Sequence, residues 1–199
     1  MGSRFEIRLG GSGGQGIILM GIILAEAIGI YDGKCVAQTQ SYGPEARGGS
    51  SKSEVIVSDE EIDYPKAMKP DLLLVMNQKS CDDFYHDLKP EGVLIVDSTF
   101  VTQLPTTKAY QIPFTRIARE KFKREVVANI IALGALAQLT SVVSHKAIEA
   151  AVLARVPKGT EKLNRDALKA GIVAAKRAQK EQMKAESLQE ISEEDLLES

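Results

Sequence analysis

Seven consecutive residues, Gly10-Gly11-Ser12-Gly13-Gly14-Gln15-Gly16, constrain this chain more than any other stretch. They follow a short run of alternating apolar residues, 5–9, and open an apolar segment, 17–30. That order spells strand, glycine turn, helix. Glycines let backbone N–H groups crowd around a ligand, and a helix N-terminus attracts anions. A phosphate or nucleotide is therefore the expected ligand class, with Gly11, Gly13, Gly14, Gln15 and Gly16 as the candidate binding residues. Gly11, Gly13 and Gly16 also satisfy the dinucleotide pattern G-x-G-x-x-G. That reading needs an acidic residue at the end of the second strand, to hold the ribose hydroxyls. The second strand, expected over 34–40, reads Lys-Cys-Val-Ala-Gln-Thr-Gln and has none; Asp32 precedes it, in the turn. The loop suits a phosphate but lacks the partner that NAD requires.

Further strands are expected over 53–57, 72–76 and 93–96, with a weaker one over 109–112. Asn77 is placed to cap a helix reaching about Leu88. Beyond that the chain turns helical, over 115–123, 126–139, 144–154 and a long last helix from 159 to about 184. Short buried strands alternating with helices predict an α/β fold, a three-layer Rossmann-like, mostly parallel sheet with a helical C-terminal part. The link between the second and third strands is too short for a crossover helix, so one strand there is expected to run antiparallel. Residues 1–185 read as a single domain. Residues 186–199 form an acidic tail with six carboxylates and no base, either a solvated helix end or a docking tail for a basic partner.

The segments 17–30 and 126–139 are apolar on nearly every side, broken by Glu26 in one and by Asn129 and Gln138 in the other. A surface helix normally keeps one polar face. Two such helices either cover each other or leave apolar surface for another subunit.

Composition narrows the function. The net charge is −2 and the 25 basic residues are scattered, which excludes a general nucleic-acid binder. The longest apolar stretch is too short for a bilayer, and no signal peptide is visible, so a cytoplasmic protein is expected. Cys35 and Cys81 lie far apart and read as reduced thiols, Cys35 in a buried strand. No metal site is expected. No catalytic residue is assigned either: His86 and His145 are lone helical histidines, and Asp82 and Asp83 are adjacent and diverge on a helix. The glycine loop lacks the G-K-[ST] ending of an ATP site.

A second motif follows the second strand. Residues 41–51 read as a polar glycine-rich loop containing Tyr42, Glu45 and Arg47 as recognition groups, held by Pro44 and its glycines. Both loops leave the C-terminal ends of strands, where ligands collect in open α/β sheets. Tyr42, Glu45 and Arg47 are thus candidates for an interface or for proximity to an active site. The alternative is a turn in which Arg47 and Glu45 pair with each other.

At these two loops the sequence resembles a known family. GSGGQG at 11–16, then Gly21 and Leu24-Ala25-Glu26-Ala27, then SYGPEARGG at 41–49, look like the gamma subunit of 2-oxoacid:ferredoxin (acceptor) oxidoreductases. Asn129 with Ala132-Leu133-Gly134-Ala135, and Lys162-Leu163-Asn164 with Ala167-Leu168 and Gly171, are similar to later signatures of the same family. The YGPEARGG form is similar to the 2-oxoglutarate type. The resemblance implies a part in oxidative decarboxylation: 2-oxoacid, CoA and oxidised ferredoxin give acyl-CoA, CO2 and reduced ferredoxin. It also implies a division of labour. Thiamine diphosphate, iron–sulfur clusters and CoA belong to the assembled enzyme, with alpha and beta subunits and often a ferredoxin-like delta subunit as partners. This chain alone is expected to bind no cofactor and to have no catalytic residues. Its glycine loop would suit either a CoA phosphate or a partner interface. Two other readings are a stand-alone nucleotide- or CoA-binding regulatory module and a small NAD(P)-dependent enzyme.

Overall fold

The structure of the chain, a computed structural model, describes residues 4–42 and 50–197. Six strands form one sheet: β1 (Arg4–Ser12), β2 (Cys35–Tyr42), β3 (Ser50–Ser58), β4 (Leu72–Val75), β5 (Val93–Asp97) and β6 (Tyr110–Ile112), in the order β2-β3-β1-β4-β5-β6. β1, β4, β5 and β6 pair in parallel, while β3 runs antiparallel to both β1 and β2. Five strands therefore share one direction and β3 opposes them, as the short link after β2 requires.

The helices are α1 (Ile17–Glu26), α2 (Gln78–Phe84), α3 (Phe114–Ile117), α4 (Ala128–Leu139), α5 (His145–Arg155) and α6 (Glu161–Leu197). Alternate residues of the central strands divide the core between the two sheet faces. Ile7, Leu9, Leu72, Leu74 and Ile95 pack with α1, α4, α5 and α6 on one face. Leu73, Val75, Leu94 and Val96 pack with Cys81 of α2 on the other. The second outer layer is thin, made by α2 and the 3-10 turn Tyr85–Asp87. Asn77 caps α2 as expected, its Oδ1 accepting from Ser80 N at 2.8 Å.

Helix α4 is buried on all sides from Ala128 to Ala137, so its apolar surface is covered within this chain, chiefly by α6. Its polar interruption Gln138 meets Gln179 of α6 at 3.3 Å. Helix α1 is covered less completely. Leu19 is 39% exposed, and Ile30, in the π-helical turn Ala27–Tyr31 that extends the helix, is 72% exposed. Glu26 is paired with Arg155 of α5.

Three sequence expectations need correction. Cys35 is exposed, not buried, because β2 is the edge strand of the sheet. The loop expected from 41 to 51 is shorter: Ser41 and Tyr42 pair with Lys52 and Ser51 and extend the ladder. The last helix does not stop near 184 but runs to Leu197. Among the described residues, no helix is long and apolar enough to cross a membrane.

The two cysteines differ chemically as well. Burial, reinforced by the neighbouring Asp82, pushes the Cys81 thiol up to about 11. The thiolate is the nucleophile, so iodoacetamide at pH 8 should label Cys35 and spare Cys81 in the folded chain. Two labels per folded molecule would show that the cover over Cys81 opens. The raised value also sets a sign: the unfolded chain releases this proton first, so stability falls as pH rises through the ordinary thiol range toward 11.

Candidate functional site: the glycine turn at the carboxyl edge of the sheet

The chain leaves β1 for β2 and β3 on one side of the sheet and returns to β4 on the other. A crevice is expected outside the carboxyl ends of β1 and β4, where the strand order reverses. A cavity of about 220 Å³ lies there, lined by Gly14, Gln15, Met76, Thr115, Glu125, Val126 and Ala128.

The glycine run divides into parts with different tasks. Gly10, Gly11 and Ser12 belong to β1. Gly11 is buried and pairs with Ser51, and a Cβ there would lie 2.7 Å from Gln15 Oε1 and from Ile17 Cδ1. Gly13 and Gly14 are exposed, and nothing lies within 4 Å of a Cβ built on either. Gly14 and Gly16 have φ of 88° and 74°, left-handed values that strain a residue with a side chain. Gly16 is the N-cap of α1 and has no side chain to cap it. The first helical bond runs from Met20 N to Gly16 O, so the preceding N–H groups of α1 have no intrahelical acceptor.

Gln15 is the clasp of the turn. Its Oε1 accepts from Ser12 N at 2.8 Å and from Ser12 Oγ at 3.0 Å, while its Nε2 donates to Met76 O at 2.9 Å. The side chain thus ties the turn to the end of β4, and its amide is engaged within the protein. Met76 N donates in turn to Gly10 O.

Two further polar groups border the cavity region. Asp97, fully buried at the end of β5, accepts from Thr99 N, Thr115 N and Thr115 Oγ1. It organises the turn that delivers Thr115 to the cavity wall. Asn129, in the first turn of α4, is 4% exposed. Its Oδ1 accepts from Ile130 N at 2.8 Å, and its Nδ2 lies 2.4 Å from where a Cβ on Gly16 would sit. The sequence marked Asn129 as a polar break in an apolar helix but gave it no place at the loop. A buried amide in such a helix was the available signal, since a buried polar group needs a partner.

The remaining candidates are placed as follows. Tyr42 ends β2, which points the same way as β1, and Ser50 opens β3 opposite Ser12. The strand ends that bracket residues 43–49 therefore lie at the edge that carries the glycine turn. Glu45 and Arg47 lie outside the described residues. Asp32 is held elsewhere, its carboxylate accepting from Ser144 N and Oγ at the start of α5. His86 and His145 are exposed, and no group of three His, Cys, Asp or Glu among the described residues could hold a metal ion.

Comparison with known proteins agrees with this architecture. The family model described as pyruvate ferredoxin/flavodoxin oxidoreductase matches residues 6–174. The 2-oxoglutarate synthase subunit KorC of Methanocaldococcus jannaschii is 53% identical over 177 residues, covering 87% of this chain and 95% of that protein. The crystal structure of the keto/oxoacid ferredoxin oxidoreductase gamma subunit from Geobacter sulfurreducens PCA superposes with a TM-score of 0.81 at 50% identity, covering 88% of this chain and 98% of that one. A 2-oxoglutarate:ferredoxin oxidoreductase from Magnetococcus marinus, solved with 2-oxoglutarate, coenzyme A and succinyl-CoA bound, shares the fold. Its TM-score is 0.77 at 24% identity, with 87% of this chain and 31% of that one covered. The likeness read from the two loops thus extends through the sheet and the C-terminal helices, and the chain belongs to the pyruvate ferredoxin/flavodoxin oxidoreductase family.

Proposed function

We propose that this chain is the gamma subunit of a 2-oxoglutarate:ferredoxin oxidoreductase and that its glycine turn holds a phosphate of CoA. The observation that carries the assignment is the 53% identity to a KorC subunit across 95% of that subunit's length. In this reading 2-oxoglutarate, CoA and oxidised ferredoxin are converted to succinyl-CoA, CO2 and reduced ferredoxin by the assembled enzyme. Thiamine diphosphate there supplies the electron sink for decarboxylation. Two cysteines, one exposed on β2 and one buried in α2, do not make a four-thiolate cluster set, so the electron-carrying centres fall to partner subunits. The alpha and beta subunits, and a delta subunit where one exists, are the partners. Tyr42, Glu45 and Arg47 are the residues proposed to face them or the active site.

What this chain offers CoA is an anion cradle. The uncapped start of α1 and the side-chain-free Gly13 and Gly14 leave backbone N–H groups accessible beside the cavity. The clasp of Gln15 on Ser12 and Met76 holds the turn in that shape before any ligand arrives.

The test uses Gly13→Val. The Cβ position is open and φ is not left-handed, so the variant should fold with an unchanged melting temperature. Its methyls would occupy the space above the turn. In enzyme reconstituted with its thiamine-bearing and cluster-bearing subunits, KM for CoA is expected to rise about tenfold or more, with KM for 2-oxoglutarate unchanged. Unaltered CoA kinetics would leave the loop a purely structural or interface element.

A further inference from the structure

We propose that α6 is a dimerisation helix: two copies of this chain pair antiparallel along its outward face, with the acidic end of each helix lying on the basic stretch of the other. The inference is independent of what the glycine turn binds. It starts from the length of α6, 37 residues, or about 55 Å at the helical rise. One face of the helix closes the core, with Leu168, Ala175 and Ala178 buried. The opposite face is uncovered. There Val173 is 50% and Met183 70% exposed. Lys176, Arg177 and Lys180 are exposed too, and make no ion pair among the described residues. The family match ends at residue 174, so nearly all of this stretch and the whole acidic tail lie beyond it.

Spacing makes that face a seam. Val173, Lys176, Lys180 and Met183 recur at alternating steps of three and four, the period of a coiled coil. Ser187, Glu190, Glu194 and Leu197 continue the count. Turned end for end about Ala185, the stripe is its own complement. Val173 meets Leu197 of the second copy, Lys176 meets Glu194, Lys180 meets Glu190 and Met183 meets Ser187. The same register sets Arg177 against Glu193 and Lys184 against Glu186 at the flanks. It alone, among antiparallel registers, opposes all four bases of 175–185 with carboxylates. A parallel pair in register would set lysine on lysine and glutamate on glutamate. The tail itself calls for a basic cover. Glu186, Glu190 and Glu194 follow one another at intervals of four, so they repel along the helix, and they lie toward its negative end. The body of the domain offers the seat. A groove of about 710 Å³ lined by Phe122, Val173 and Arg177 flanks the stripe, as does one of about 380 Å³ lined by Tyr110, Lys180 and Met183.

Sedimentation equilibrium on the full chain, with its thiols kept reduced, tests this. At about 50 μM chain and low ionic strength the protein should be a dimer. In about 1 M salt the dissociation constant should rise about tenfold or more, because charge pairs fill much of the seam. Two double variants give the decisive contrast. Lys176→Glu with Lys180→Glu makes the charged positions of the stripe wholly acidic, and Glu190→Lys with Glu194→Lys makes them wholly basic. Each variant alone should be monomeric, and an equimolar mixture of the two should form a heterodimer. Both lysines are exposed, so the fold of the domain does not rest on them, and thermal unfolding checks that each variant is folded. The mixture is its own control, since a chain that had merely lost its structure would not recover association from a second altered chain. Three results would each overturn the inference: a parent chain that stays monomeric at low salt, a dimer indifferent to both double variants, or a mixture that fails to associate. None of them bears on the glycine turn or on the assignment as a gamma subunit.

Discussion

Replacing Arg8 by methionine is expected to destabilise the folded chain by about 3–5 kcal/mol, because it strands a buried carboxylate. Arg8 lies in the central strand β1 with its side chain 5% exposed. Its Nε donates to Glu54 Oε1 at 2.9 Å, one terminal nitrogen donates to Ala67 O at 2.8 Å, and the other pairs with Asp87. The guanidinium also lies 5.5 Å from the centre of the Phe84 ring. Glu54 is buried to the same degree as Arg8. Without Arg8 it keeps Lys52 at 3.1 Å, which offsets part of the loss, while half-exposed Asp87 returns to water at little cost. The carboxylate of Glu54 therefore dominates the effect. Replacing both residues, Arg8→Met with Glu54→Leu, should recover most of the lost stability, since no buried charge is then left alone. Urea unfolding of the two single variants and the double variant decides this. A double variant as unstable as Arg8→Met would place the loss in the link to Ala67 and the packing on Phe84 instead.

That network marks a limit of what the sequence can tell. Phe5-Glu6-Ile7-Arg8-Leu9 announces a strand by its alternation, and alternation ordinarily means one wet face. Here the polar face is also covered: Glu6 is 7% and Arg8 4% exposed. The groups that make this tolerable, Glu54 and Asp87, come from distant parts of the chain, and no local pattern announces them. The same limit explains Cys35. Its apolar neighbours suggested a buried strand, but burial depends on whether a strand ends up at the sheet edge, which is a property of strand order. Local chemistry was legible. The strand–turn–helix at Gly10–Gly16, the Asn77 cap and the antiparallel third strand follow from backbone constraints within a few residues. At the candidate site, the backbone donors are readable from the glycines, but the side-chain partners of Gln15 are not. The glycine run makes Gln15 a candidate binding residue, and the structure adds that its side chain clasps Ser12 and Met76. Asn129 acquires its position only because α4 crosses back over the start of α1.

The crossing of α4 and α6 holds Asn129 in that position, and it depends on two glycines. A Cβ on Gly171 would lie 1.8 Å from Ile131 O, and one on Gly134 would lie 2.1 Å from Leu168 O. Both obstacles are backbone carbonyls of the facing helix, so no rotamer change relieves them. Gly171→Ala must push the helices apart and open the layer of small residues between them, including Ala132, Ala135, Ala167 and Ala175, all fully buried. Alanine gains up to about 1 kcal/mol in helix propensity over glycine. Overpacking of this kind typically costs about 1–3 kcal/mol, and more where backbone blocks the way. The net expectation is a destabilised chain, with a loss of about 2 kcal/mol or more. Displacing α4 also moves its first turn away from Gly16, so Gly171→Ala should lower the melting temperature and the affinity of the glycine turn for pyrophosphate together. A Gly171→Ala chain as stable as the parent would mean that the helices have room to spare. A destabilised one that still binds pyrophosphate with parental affinity would mean that the anion site depends on α1 and its glycine turn without help from α4.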